Sequence, residues 1–181
     1  MKPPLPFDWT EIDRLHAEGL AQGRQGVAGL LVVRRAPGSS GGTDQQVFAQ
    51  RRSQTRKLFP GCWDLVGGHV EAGETVAQTA ARELAEETGW VLKMVLGLRR
   101  VVDWQSAGAD SAPVLKREFV LAIEAEGDLD HPALEATKVT EGRWFGVDEL
   151  AQLKEGREGS DTYVFDLARE QLMLVNPKAV P

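Results

Sequence analysis

The stretch GHVEAGETVAQTAARELAEETGW, residues 68–90, decides how this chain is read. Its second half has the composition of a helix: alanine recurs, Leu84 sits among strong helix formers, and neither proline nor glycine interrupts residues 75–88. Thr75 followed by Gln78 makes a capping-box start, and Gly89 supplies the stop. At ~100° per residue, Ala77, Ala81 and Leu84 gather on one side of that helix, while Glu83, Glu86 and Glu87 gather on an adjacent side.

Three carboxylates at spacings of three and four residues repel one another, and a solvated acidic face is the ordinary reading of such a cluster. Its surroundings argue otherwise. The preceding segment GCWDLVGGHVEAGE is rich in glycine, the backbone of a tight loop that approaches a ligand closely. A divalent cation would turn the repulsion into attraction. Oxygen-only ligands suit Mg²⁺ or Mn²⁺, and Mg²⁺ binds through few carboxylates together with substrate phosphates, so the patch predicts a phosphate-bearing substrate.

Gly68, Glu74, Arg82, Glu83, Leu84, Glu86, Glu87, Gly89 and Trp90 together resemble the Nudix box. That motif is a glycine, five residues, a glutamate, seven residues, then Arg-Glu-apolar-x-Glu-Glu-x-Gly-apolar. Trp90 stands where the family usually has an aliphatic residue. The resemblance implies an α/β fold: the Nudix α/β/α sandwich around a mixed β-sheet, with the box as a loop-helix-loop. It implies that Glu83, Glu86, Glu87 and the Gly68 carbonyl hold Mg²⁺ or Mn²⁺, and that Glu74 pairs with Arg82 in a structural role. The implied activity is hydrolysis of a diphosphate linkage in a nucleotide-like small molecule, and many members of the family are homodimers. Such chemistry needs a carboxylate to position or deprotonate water. Glu83 is the first candidate, with Glu118, Glu135 and Glu141 open because the family often takes its base from outside the box.

Working outward, residues 1–24 read as an extension, proline-rich at first and then helical from Trp9 to about Leu20 with Ile12, Leu15 and Leu20 apolar. VAGLLVVR and VFAQRR read as a pair of strands joined by a long, mobile loop. WVLKMVLGLRRVVDW, KREFVLAIEAE and GRWFGV read as further strands, the first two separated by a polar loop at Ser106 to Pro113. DELAQLK and TYVFDLAREQLMLV read as helical. This places a hydrolase domain at residues 25–155 and a helical tail packed on it at 156–181, a sheet covered on both faces.

Composition narrows the function. The 181 residues, 42% hydrophobic and 27% charged, suit one globular domain. A net charge of −6 argues against a nucleic-acid polymer as partner. A single cysteine, Cys62, forms no internal disulfide, and MKPPLPFDW offers no signal peptide or membrane span, so a cytoplasmic protein is expected.

Arg51, Arg52, Arg56 and Lys57 form a local basic cluster able to grip phosphates, and His69 beside Gly68 is a further phosphate contact, with His131 a loop residue. Trp104, Phe119, Trp144 and Phe145 read as core, with base stacking open to them. The family's markers for ADP-ribose, dinucleoside polyphosphates and coenzyme A are missing, the positions after the box reading Trp104, Gln105 and Ser106, which leaves a nucleoside di- or triphosphate as the default. Two other readings compete: a nucleotide-sensing domain that binds without cutting, and an isopentenyl diphosphate isomerase. The intact box, and Cys62 standing before the paired glycines, favour hydrolysis over both.

Overall fold

A computed structural model describes residues 7–38, 44–107 and 112–175. The proline-rich start, the middle of the loop expected between the first two strands, residues 108–111 of the polar loop expected from Ser106 to Pro113 and the last six residues lie outside them.

Among the described residues, seven strands form one mixed sheet. They are β1 (Gln25–Arg35), β2 (Gln45–Arg52), β3 (Trp63–Asp64), β4 (Val66–His69), β5 (Val91–Ala107), β6 (Pro113–Glu126) and β7 (Val139–Phe145). The main path runs β3-β2-β1-β6-β5, with β4 on β1 and β7 on β2. The β1–β6 pair is parallel and the other pairs are antiparallel.

The central strands are apolar on both faces, as strands covered on both sides must be. From β1 and β6, Ala28, Leu30, Val32, Phe119, Leu121 and Ile123 enter one core with Ile12 of α1 (Thr10–Ala21) and Val76, Ala80 and Leu84 of α2 (Val76–Thr88). The alternate residues Leu31, Val33, Val120 and Ala122 enter the other. There they meet Leu150 and Leu153 of a 3₁₀ stretch (Val147–Lys154) and Val164, Leu167, Ala168 and Leu172 of α3 (Tyr163–Val175). The result is the α/β/α sandwich expected from the box, with a 3₁₀ turn where DELAQLK reads as helix.

The caps of α2 form as its sequence predicts. Thr75 Oγ1 accepts from the Gln78 amide at 3.2 Å, Gln78 Oε1 accepts from the Thr75 amide at 2.8 Å, and Gly89 closes the helix at φ 73°. Its buried face differs from the expected one: Val76, Thr79, Ala80, Leu84 and Thr88 face inward, Ala77 is half-buried and Ala81 is exposed. The larger Val76 and Leu84 set the seam, and an alanine methyl is small enough to fall on either side. Burying Leu84 contributes roughly 1.5–3 kcal/mol. In α1 Ile12 is buried, Leu15 packs on the same core, and Leu20 faces solvent. Trp90, the bulky substitute in the box, is buried edge-on against Phe48 at 4.8 Å and donates from Nε1 to the Asp128 carbonyl at 2.8 Å.

The glycine-rich segment is only partly loop. Residues 66–69 pair with residues 27–30 of β1. Gly67, at φ 152°, passes so close to the Ala28 carbonyl that a Cβ would strike it, so this pairing requires glycine. It carries the start of the box onto the sheet edge, beside the carboxylates of α2.

Candidate active site

A cavity of about 610 Å³ opens where β4, the N-terminal part of α3 and the segment 52–59 meet over the sheet. Of the expected ligands, Gly68, Glu83 and Glu87 line it. The Glu83 side chain is 14% exposed, its Oε1 accepts from Arg82 Nη1 at 2.8 Å, and it lies so close to Gly68 that a Cβ there would overlap the carboxylate. Glu87 Oε2 accepts from the Gly67 amide at 3.0 Å and from Gln50 Nε2 at 2.7 Å, while burial holds its pKa above the usual carboxylate range. Glu86 is 59% exposed and turns to Arg82 at 3.2 Å.

The patch is therefore looser than the helical spacing suggests: among the described residues no three acidic, histidine or cysteine side chains meet closely enough to hold an ion. Each carboxylate takes a hydrogen-bond donor instead, as mutually repelling groups do. Two observations still fit a hard divalent cation. Gly68 leaves room against Glu83 that a side chain would fill, and Gln50 Oε1 is buried beside Glu87 with no hydrogen-bond partner among the described residues. The donor set is all oxygen, as Mg²⁺ and Mn²⁺ require.

Arg82 ties the box together. Its Nε and Nη2 reach Glu74 at 2.8 and 2.9 Å, and Nη2 also donates to the His69 carbonyl at 3.1 Å. The guanidinium and the Thr79 hydroxyl lower the Glu74 pKa to about 2.

The basic cluster divides. Arg52 and Arg56 line the cavity, Arg52 being tied to Asp64 at 3.1 Å and to the Leu58 carbonyl at 2.8 Å. Arg51 points to the opposite face of β2, where it donates to the Gly61 carbonyl at 3.0 Å, lies over Trp63 and approaches Glu155 at 3.8 Å. Lys57 is exposed and borders a neighbouring hollow with Arg52, Arg56 and Lys138.

His69 lines the cavity, and its Nε2 lies 2.7 Å from Lys116 Nζ. An ammonium only donates, so this nitrogen is the acceptor and the imidazole is neutral with its proton on Nδ1. Burial and the adjacent Lys116 both lower the His69 pKa. Among the other candidates, Glu118 lies in the cavity floor, whereas Glu141 is exposed on β7 and Glu135 pairs with Lys138 at 2.8 Å. His131 is exposed and pairs with Asp128. Trp104 alone of the four weighed aromatics lines the cavity; Phe119 and Phe145 are core, and Trp144 stacks on Trp90 at 5.6 Å.

Lys116, Gln50, Lys138, Tyr163 and the backbone of Gly67 also line the site and escape a reading of the box. For Lys116 a signal exists. In VLKREFVLA the residues Lys116 and Glu118 share the alternation of Val120 and Ala122, so two charges occupy inward positions. Lys116 is only 5% exposed, and burial lowers its pKa.

The NUDIX domain family model matches residues 24–167, and the chain belongs to that family. Over 157 residues it is 31% identical to the putative mutator protein MutT4 of Mycobacterium tuberculosis, covering 85% of this chain and 59% of that protein. A shorter stretch of 68 residues is 43% identical to the m7GpppN-mRNA hydrolase NUDT17 of Xenopus laevis, covering 35% of this chain and 21% of that protein. The chain thus spans less than two thirds of these relatives' length. The MutT NUDIX hydrolase of Burkholderia pseudomallei has a similar structure, with a TM-score of 0.58 at 25% identity over 82% of this chain and 97% of that one.

Proposed function

We propose that the chain is a divalent-metal-dependent pyrophosphohydrolase acting in the cytoplasm on a diphosphate linkage in a nucleoside di- or triphosphate or another nucleoside diphosphate derivative. The observation that carries this reading is the sharing of one cavity by carboxylates and cations. Glu83, Glu87 and Gly68 form one wall, with Lys116, Arg52, Arg56 and Lys138 around it. A diphosphate bound with a metal ion needs both sets of groups.

Members of the family typically use divalent metals, and the Gly68 carbonyl with Glu83, Glu86 and Glu87 would hold Mg²⁺ or Mn²⁺. Bound there, the ion would supply positive charge to the diphosphate. Lys116 and Arg52 bind phosphate oxygens, His69 fixes the Lys116 ammonium, and Lys138 and Arg56 extend the positive rim. Arg82 holds Oε1 of Glu83, so Oε2 takes the proton of the attacking water. The water oxygen bonds to one phosphorus, the bridging P–O bond breaks, and the departing phosphate leaves as an anion. Glu74 keeps Arg82 in place through both sides of its carboxylate.

The test is a phosphate-release screen over nucleoside triphosphates, nucleotide sugars and ADP-ribose with Mg²⁺, Mn²⁺ or chelator, with mass identification of products. Metal-dependent cleavage that disappears in both Glu83→Gln and Glu87→Gln, with circular dichroism unchanged, is expected. Retained turnover in both variants refutes the assignment. Nucleotide binding without cleavage would mark a sensing domain, and rearranged isopentenyl diphosphate with its phosphates intact would mark an isomerase.

A further inference from the structure

A second hollow, of about 510 Å³, lies beside the cavity and shares Arg52, Arg56 and Lys138 with it as a wall. Along β2, Gln50 meets Glu87, and Arg52 follows two residues later, roughly 7 Å farther on, also toward the cavity. Lys138, whose carbonyl accepts from the Ser53 amide at 2.8 Å, is close enough to favour the ionised form of Glu87. The hollow therefore borders the carboxylate wall of the site. Lys116 stands on β6, across β1 from Arg52, and takes no part in it.

The charges lining this hollow are mostly positive. Arg52, Arg56, Lys57 and Lys138 line it, and Glu135, paired with Lys138 at 2.8 Å, is the one acid among the described residues that does. Arg52 is fixed by its Nε on the Leu58 carbonyl at 2.8 Å and its Nη1 on Asp64 at 3.1 Å, which leaves Nη2 without a hydrogen bond among the described residues. The side chains of Arg56 and Lys57 pair with no carboxylate among the described residues, although acids outnumber bases 27 to 21 over the whole chain.

Four like charges this close repel one another, a cost that a bound anion would remove. A guanidinium fork matches two phosphate oxygens at once. A terminal phosphate carries roughly −1.5 to −2 at pH 7, more charge than any carboxylate brings. A sugar ring or an isoprenoid tail would leave these cations unmatched.

We propose that this hollow is a second phosphate-binding site, seating a phosphate group one step beyond the diphosphate held at the carboxylate wall. Arg52 borders both sites, Arg56 and Lys57 grip the further phosphate, and Lys138 closes the side toward Glu87. The end of a chain of three or more linked phosphates carries the required chemistry, and so does free orthophosphate. The inference rests on the hydrolase reading only for what occupies the carboxylate wall.

The test is calorimetric titration of the full chain with inorganic tripolyphosphate in the presence of a chelator, which asks for binding and not for turnover. Arg56→Gln combined with Lys57→Gln is expected to weaken binding at least roughly tenfold, the worth of one charge-assisted contact. Lys93→Gln, an equal loss of charge on β5 at the far edge of the sheet, is expected to leave the affinity within about twofold, because salt screens a distant exposed charge. Unchanged affinity in the double variant, or an equal loss in Lys93→Gln, overturns the proposal. Kinetics with Mg²⁺ then separate the two sources of phosphate. If the group belongs to the substrate, the double variant raises KM for nucleoside triphosphates about tenfold and leaves KM for ADP-ribose nearly unchanged. If it is free, both KM values stay and inhibition by orthophosphate is lost. Weakened tripolyphosphate binding with no nucleotide cleaved supports the second site and defeats the hydrolase reading; metal-dependent cleavage with tripolyphosphate affinity unchanged does the reverse.

Discussion

Replacing Glu118 by Gln removes a carboxyl group whose ionisation the fold opposes. Burial first, and the nearby Asp64 second, push its pKa from 4.5 up to about 7, against the opposing pull of Tyr163, Trp104 and Arg157. The folded value lies above the unfolded one, so the group binds its proton more tightly in the native state. Its contribution is full below pH 4.5 and is lost as the pH rises through about 7. At ~1.36 kcal/mol per pKa unit, the ionised group costs about 3 kcal/mol above that range. The amide has the same shape and no charge to desolvate. Urea denaturation of both proteins is expected to show equal stability near pH 4.5, and the variant more stable by up to about 3 kcal/mol near pH 8. For a domain of this size that is roughly 6–12 °C in Tm. A gain that is the same at both pH values, or a variant destabilised at the higher one, would show that Glu118 does not carry a buried charge.

Two further substitutions probe the phosphate end. Gly68→Ala puts a methyl group into the Glu83 carboxylate, and turnover is expected to fall roughly hundredfold while Tm stays close to wild type, since misplacing a catalytic group by about 1 Å has that effect; wild-type kcat would dismiss the contact. Lys116→Met removes a buried cation beside His69. Steady-state kinetics are expected to show KM raised roughly ten- to a hundredfold, the loss of a hydrogen bond to a charged partner, with kcat changed less. An unchanged KM would mean that Lys116 does not reach the phosphates.

Much of this protein can be read without coordinates because its central device is local. Thr75, Gln78 and Gly89 define α2 through contacts spanning a few residues, and the spacing of Glu74 from Arg82 already anticipates the ion pair that braces the box. The alternation in β1 and β6 places Ala28, Leu30, Phe119 and Leu121 opposite Leu31, Val33, Val120 and Ala122, so a sheet covered on two faces follows from pattern alone.

The remainder depended on pairing between distant segments. Arg51 and Arg52 are equal in a basic cluster, but antiparallel pairing with β3 and β7 sends neighbouring side chains to opposite faces, and only Arg52 reaches the cavity. Val66–His69 is strand rather than loop because β1 lies beside it, about forty residues earlier in the chain. Helical spacing brings Glu83, Glu86 and Glu87 to one side of α2, but the docking of that helix against β4 leaves Glu86 in solvent and buries Glu87 against Gln50 and Gly67. Lys116 and Glu118 carry no motif of their own. Their burial, and with it the character of the cavity floor, comes from β5, β1 and the start of α3 closing around β6, an arrangement that sequence order does not contain.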